Sequence, residues 1–175
     1  MAQILNKKIC LLGEYGVGKT SLIRRFVYDL FSDDYITTIG VKVTEKLLPP
    51  VEKEKRMQQF RFMIWDIAGS EEGAIKHENY WVGASGALIV TDLCRPDTFS
   101  YTSSIIEKLM TIVNDPSIVI VGNKADLIPA NELKPLETTL KEIAQTYRCP
   151  VLLTSAKTGK RVEASFNRLA QCMME

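Results

Sequence analysis

The sequence predicts an α/β domain built on a six-stranded, mostly parallel sheet with one antiparallel strand and helices on both faces. Strand-length apolar runs alternate with segments whose apolar residues recur at helical spacing, in the order βαββαβαβαβα. Two of the runs follow each other with no helical segment between them, which supplies the antiparallel strand as a hairpin. The chain has 175 residues, enough for one domain, 1–175, with both faces of its sheet covered.

The first strand is Lys8-Ile-Cys-Leu-Leu12, and Leu22, Ile23, Phe26, Val27 and Leu30 mark the first helix. Between them lies Gly13-Glu-Tyr-Gly-Val-Gly-Lys-Thr-Ser21, which fits G-x-x-x-x-G-K-[ST]. Val41–Leu48 and Gln59–Trp65 alternate and pair as a hairpin across Pro49–Gln58, a stretch read as a solvated turn. Ala87–Leu93, Ile118–Gly122 and Val151–Thr154 are apolar runs of the kind that parallel sheets bury on both faces. The helices between and after them carry Tyr101, Ile105, Leu109 and Ile112, then Leu136, Leu140, Ile143 and Tyr147, then Val162, Phe166, Leu169 and Met173.

Apolar residues at 46% and charged residues at 25% exclude disordered and fibrous classes. A net charge of +1 gives no drive towards nucleic acid or an acidic membrane. The N-terminus lacks the pattern of a secretory signal and no apolar run can span a bilayer, so the expected compartment is the cytosol. Membrane contact, peripheral at most, would need an added tail or lipid. Cys172-Met-Met-Glu175 matches a prenylation frame by position only. Cys10, Cys94 and Cys149 sit in or beside predicted strands and read as buried free thiols.

The chemistry concentrates at the carboxyl ends of the strands, where such sheets bind ligands. In the glycine loop, Tyr15, Gly16, Val17, Gly18, Lys19, Thr20 and Ser21 would wrap a phosphate chain: backbone N–H groups cradle it, Lys19 neutralises it and the Thr20 hydroxyl holds Mg²⁺. Asp66 opens Asp-Ile-Ala-Gly69 after its strand. Its carboxylate can hold a water on the metal, and Gly69 lets a backbone N–H approach a terminal phosphate. A helix-capping role for Asp66 is the competing reading and leaves Gly69 without one. Asn123-Lys-Ala-Asp126 follows the next strand but one. A single carboxylate accepts both guanine N1–H and the 2-amino group, whereas adenine presents an acceptor there. Asp126 is the candidate for that task, with Asn123 bracing the loop and the Lys124 stem along the base. Ser155-Ala-Lys157 would close the other side, chiefly through the Ala156 N–H.

These motifs, in this order and over nearly the whole chain, resemble a small GTPase of the Ras superfamily, with a P-loop NTPase fold. Tyr35-Ile-Thr-Thr-Ile-Gly40 is most similar to the Rab branch. The resemblance implies GTP or GDP and Mg²⁺ as ligands. It implies that Thr38 joins Thr20 and Asp66 around the metal, that Phe31 leans on the guanine ring and that Tyr35 covers the phosphates. Effectors and regulators would read two switches, Tyr35–Gly40 and Gly69–Trp81. Lys19, Gly69 and residue 70 would carry catalysis.

Three positions depart from that pattern. The residue after Asp-x-x-Gly is normally a glutamine that orients the attacking water. Here it is Ser70, too short to reach. Tyr15 stands where the family usually has a small residue, either as plain loop surface or crowding an arginine supplied in trans. Val43 replaces the first member of an aromatic surface triad that Trp65 and Tyr80 complete. His77 reads as polar surface. The sequence thus supports a switch that hydrolyses GTP slowly, and alternatively a GTP- or GDP-holding interaction module with negligible hydrolysis. An adenine-specific small kinase would require Asp126 to leave the base untouched.

Overall fold

In a computed structural model, residues 3–34, 37–53, 56–68 and 78–175 are described. Seven strands form one sheet in the order β2-β4-β1-β5-β6-β7, with β3 pairing β4. Strands β1 (Gln3–Leu12), β4 (Arg56–Ile67), β5 (Gly86–Asp92), β6 (Ser117–Asn123) and β7 (Val151–Leu153) run parallel, and β2 (Val41–Leu47) and β3 (Val51–Lys53) run antiparallel to β4. Six strands are the expected core. The seventh, β3, lies in the stretch read as a turn.

Its origin is local. Leu47 opposes Arg61 and Val51 opposes Gln58, so four steps along one strand face three along the other. Pro49 and Pro50 sit in this offset, where missing N–H groups cost no ladder bond, and the ribbon resumes beyond them. Leu48 anchors the bulge in the core, and Gln59 Nε2 donates to its carbonyl at 2.7 Å.

Strand alternation divides the core in two. Ile9 and Leu11 face one cluster with Leu22 and Phe26 of α1 (Lys19–Tyr28) and Phe166 and Leu169 of α4 (Val162–Cys172). Cys10 and Leu12 face the other, with Ile105, Ile106 and Leu109 of α2 (Asp97–Ile112) and Leu140 of α3 (Ala130–Tyr147). Phe26 and Phe166 stack face to face with centroids 3.8 Å apart, which fixes α1 against α4. β5 is buried along its whole length, as its unbroken apolar run predicts for a parallel strand.

Several boundaries move. β1 begins at Gln3 because its first residues pair with β4 in parallel register from Gln3↔Gln58 onward, and β4 begins at Arg56 because Arg56 and Met57 pair with Lys53 and Glu52 of β3. Tyr101 is exposed, and α2 packs through Thr102, Ile105, Ile106 and Leu109. Of the cysteines, Cys10 is buried and its thiol is pushed up to about 12, with burial the main cause, which keeps it inert. Cys94 is a correction: it lies exposed in the turn after β5, past the buried part of that strand. The segment following β4, including Gly69, Ser70 and His77, and Tyr35 in the first switch lie outside the described residues. Among the described residues no helix is long and apolar enough to cross a membrane.

Candidate functional site

The loops after β1, β6 and β7 surround a cavity of about 380 Å³, within the range of small-ligand pockets. Gly16, Gly18, Lys19, Thr20 and Ser21 line its floor, Asn123, Lys124 and Asp126 one wall, and Ala156 and Lys157 another. Phe31 and Thr38 border it from the segment after α1. Val17 and Ser155 do not line it. The Val17 side chain is in the core and the Ser155 side chain is buried, so neither presents a side chain to a ligand.

The glycine loop has the shape its sequence requires. Gly18 precedes α1 with φ 99°, and no side chain caps the helix, which leaves its first N–H groups for a ligand. A Cβ on Gly13 would fall on the Val90 carbonyl, and one on Gly18 on the Asn123 amide. Lys19 Nζ donates to the Gly13 and Glu14 carbonyls, each at 2.8 Å, and holds one further proton for a phosphate oxygen. Burial pushes its ammonium down to about 8, and Asp66 and Glu14 partly oppose the shift.

Three oxygens meet at the N-terminus of α1. Thr20 Oγ1 donates to Asp66 Oδ2 at 2.7 Å and lies 2.6 Å from Thr38 Oγ1. A hydroxyl has one proton, so Thr38 is the donor in the second bond. Asp66 is buried and its Oδ1 has no hydrogen-bond partner among the described residues. Burial raises its pKa, against the Thr20 hydroxyl and the Lys19 charge. A hard, oxygen-only donor set with an unsatisfied carboxylate oxygen fits Mg²⁺, which takes few protein ligands.

The base-side loops are cross-braced. Asn123 Nδ2 donates to the Val17 carbonyl at 2.9 Å, and its Oδ1 accepts from Thr154 Oγ1 and Ala156 N, each at 3.2 Å. The Ala156 N–H, expected to face the base, is thus already engaged and would have to be shared. Ser155 Oγ donates to Asp126 Oδ1 at 2.6 Å and orients that carboxylate. Asp126 itself is exposed, and the bond from Ser155 holds its carboxylate at the cavity wall. Lys124 reaches back to Asp92, Nζ to Oδ2 at 2.7 Å.

Three supporting residues escape sequence reasoning. Arg25 of α1 donates from Nε to the Ala156 carbonyl at 2.9 Å and from Nη2 to that of Lys157 at 2.7 Å, holding the third loop. Asp92, at the buried end of β5, accepts from Lys124 and, at 3.1 Å, from Arg95 Nε. Arg95 Nη2 in turn donates to the Tyr15 carbonyl at 2.7 Å. The one sequence cue was an acid, Asp92, set inside the otherwise largely apolar run Ala87–Leu93. On the outer surface, Lys8 Nζ sits 3.8 Å above the Trp65 ring, whose centroid is 6.2 Å from that of Tyr80.

A glycine loop between a strand and a helix of a mostly parallel sheet with helices on both faces defines a P-loop nucleotide-binding protein. Comparison with known proteins narrows this: the chain belongs to the Ras family, whose sequence model matches residues 8–175. It is 33% identical over 166 residues to the Ras-related protein Rab-22A of Homo sapiens, covering 94% of this chain and 81% of that protein, with the same values for Rab-22A of Canis lupus familiaris. The chain is therefore a small GTPase, Rab-like in pattern, of a family that binds guanine nucleotide and Mg²⁺.

Proposed function

We propose that this chain is a guanine-nucleotide switch in which the binding half of the cycle is intact and the hydrolytic half is slow. The convergence of the glycine loop, the Asn123–Asp126 loop and Ala156 and Lys157 on one cavity carries the binding part of the reading. Asp126, oriented by Ser155, selects guanine by accepting from two adjacent donors. Lys19 stabilises charge on the β and γ oxygens, and the uncapped start of α1 adds its backbone N–H groups. Thr20, Thr38 and Asp66 hold Mg²⁺, which neutralises phosphate charge when bound.

With GTP present, Thr38 and Gly69 are held at the γ-phosphate, and hydrolysis releases them. Effector and regulator proteins read that difference through Tyr35–Gly40 and Gly69–Trp81. Ile39 offers them an apolar side chain that is 92% exposed. The conversion step is where this chain departs. Ser70 lacks the amide that would orient water, and Tyr15 occupies the entry an arginine finger would use. Intrinsic turnover accordingly falls below the roughly 10⁻⁴ s⁻¹ of an unassisted glutamine-bearing GTPase.

A single-turnover GTP assay comparing the parent with Ser70→Gln tests this, with faster hydrolysis expected in the variant. Equal rates in the two proteins would remove Ser70 as the cause. A parent that binds GTP and turns none over would instead make it a nucleotide-holding interaction module.

A further inference from the structure

Tyr15 is fastened at both ends. Its carbonyl accepts from Arg95, which is fixed in turn by the buried Asp92 carboxylate. Its phenol oxygen lies 3.1 Å from Thr37 Oγ1, a bond that joins the phosphate loop to a segment 22 residues further on. The next residue, Thr38, is tied to the start of α1 through Thr20. Two successive threonines are therefore pinned to two different parts of the phosphate site. Cradling a phosphate chain needs backbone N–H groups and asks nothing of the side chain at position 15. Tyr15 lines the cavity, and its phenol finds a partner outside the loop.

We propose that Tyr15 is a positioning residue that acts as a latch: its hydroxyl holds Thr37 across the mouth of the cavity, keeps Thr38 beside Thr20 and so slows nucleotide escape. The inference rests on the nucleotide reading above and adds to it a determinant of residence time. The latch works from the phosphate loop itself and joins a pair of neutral hydroxyls.

The test is the release rate of a fluorescent N-methylanthraniloyl guanosine diphosphate in saturating Mg²⁺. Tyr15→Phe deletes only the phenol oxygen and Thr37→Val only the threonine hydroxyl. Each should speed release about fivefold, equivalent to about 1 kcal/mol for a neutral hydrogen bond at 1.4 kcal/mol per tenfold. The double variant should be no faster than either single one, because both remove the same bond. Thr37→Ser, which keeps the hydroxyl, should release at the parental rate. Parental rates in Tyr15→Phe and Thr37→Val, or effects that multiply to roughly 25-fold in the double variant, would overturn the latch while leaving nucleotide binding intact. A parent that takes up no guanine nucleotide would overturn the reading beneath it as well.

Discussion

Asn123 is the residue whose removal reaches furthest. It is 1% exposed, and its amide makes three bonds that link the glycine loop to the two loops of the base side. Asn123→Ala leaves the Val17 carbonyl and the Ala156 N–H without partners in the interior, while the Thr154 hydroxyl can rotate elsewhere. Each buried orphan costs about 1–3 kcal/mol, so the two together cost about 2–6 kcal/mol. Part of this falls on folding and part on nucleotide retention. If it fell wholly on the fold, Tm would drop by roughly 2–4 °C per kcal/mol in a chain of this size. If it fell wholly on retention, release would accelerate by roughly 30-fold or more. Asn123→Asp refines the assignment: it keeps the acceptor for Thr154 and Ala156 but sets a carboxylate oxygen against the Val17 carbonyl. Gly18→Ala provides an independent route to the same damage, since its new Cβ would displace the Asn123 amide nitrogen. Release rates and thermal unfolding of the three variants should move together. A parental release rate and Tm in Asn123→Ala would refute the view that this amide couples the loops.

Two further outcomes follow from the charges at the site. Burial brings Lys19 to about 8 in the free protein, below its ordinary 10.5, so between those values the folded chain carries fewer protons there than the unfolded one and stability rises with pH through that window. Phosphate oxygens restore the ammonium, so nucleotide binding at pH 8.5 to 9.5 should take up a proton and weaken as pH rises. Calorimetry in two buffers of different ionisation enthalpy reads this, and identical heats would contradict it. Asp66→Asn should raise the Mg²⁺ concentration needed to retain nucleotide by about 10- to 100-fold, the usual cost of losing a supporting carboxylate. An unchanged Mg²⁺ dependence would take Asp66 out of the metal site.

Most of the architecture was legible because burial on both faces writes itself as unbroken apolar runs, as in Ala87–Val90, and packing against one face as helical spacing, as in Val162, Phe166 and Leu169. The contiguous glycine loop was legible for the same kind of reason: its backbone shape dictates its residues at neighbouring positions. What stayed hidden depends on residues distant in sequence. Nothing around Arg25 announces that it will hold carbonyls 131 and 132 positions away. The strand ends Gln3–Lys7 and Arg56–Gln58 carry no clear alternation and become strand by pairing, the first with β4 and the second with β3 and the start of β1. Asp126 illustrates the same limit. Its identity as an acid follows from the motif, but the Ser155 hydroxyl that orients it lies 29 positions away.

The paired prolines at positions 49 and 50 carry a consequence for how this molecule meets its own kind. β2 is the outermost strand of the sheet, and its free margin could template another chain. Proline has no amide hydrogen, so the row of donors is interrupted there and the ribbon kinks at the bulge. Charged side chains at Lys42 and Glu45 stud the same rim. A neighbouring copy trying to lengthen the sheet in register would meet a gap, a bend and a fence of charge, which guards the protein against fibre-like growth while leaving that rim open to partners that dock through side chains.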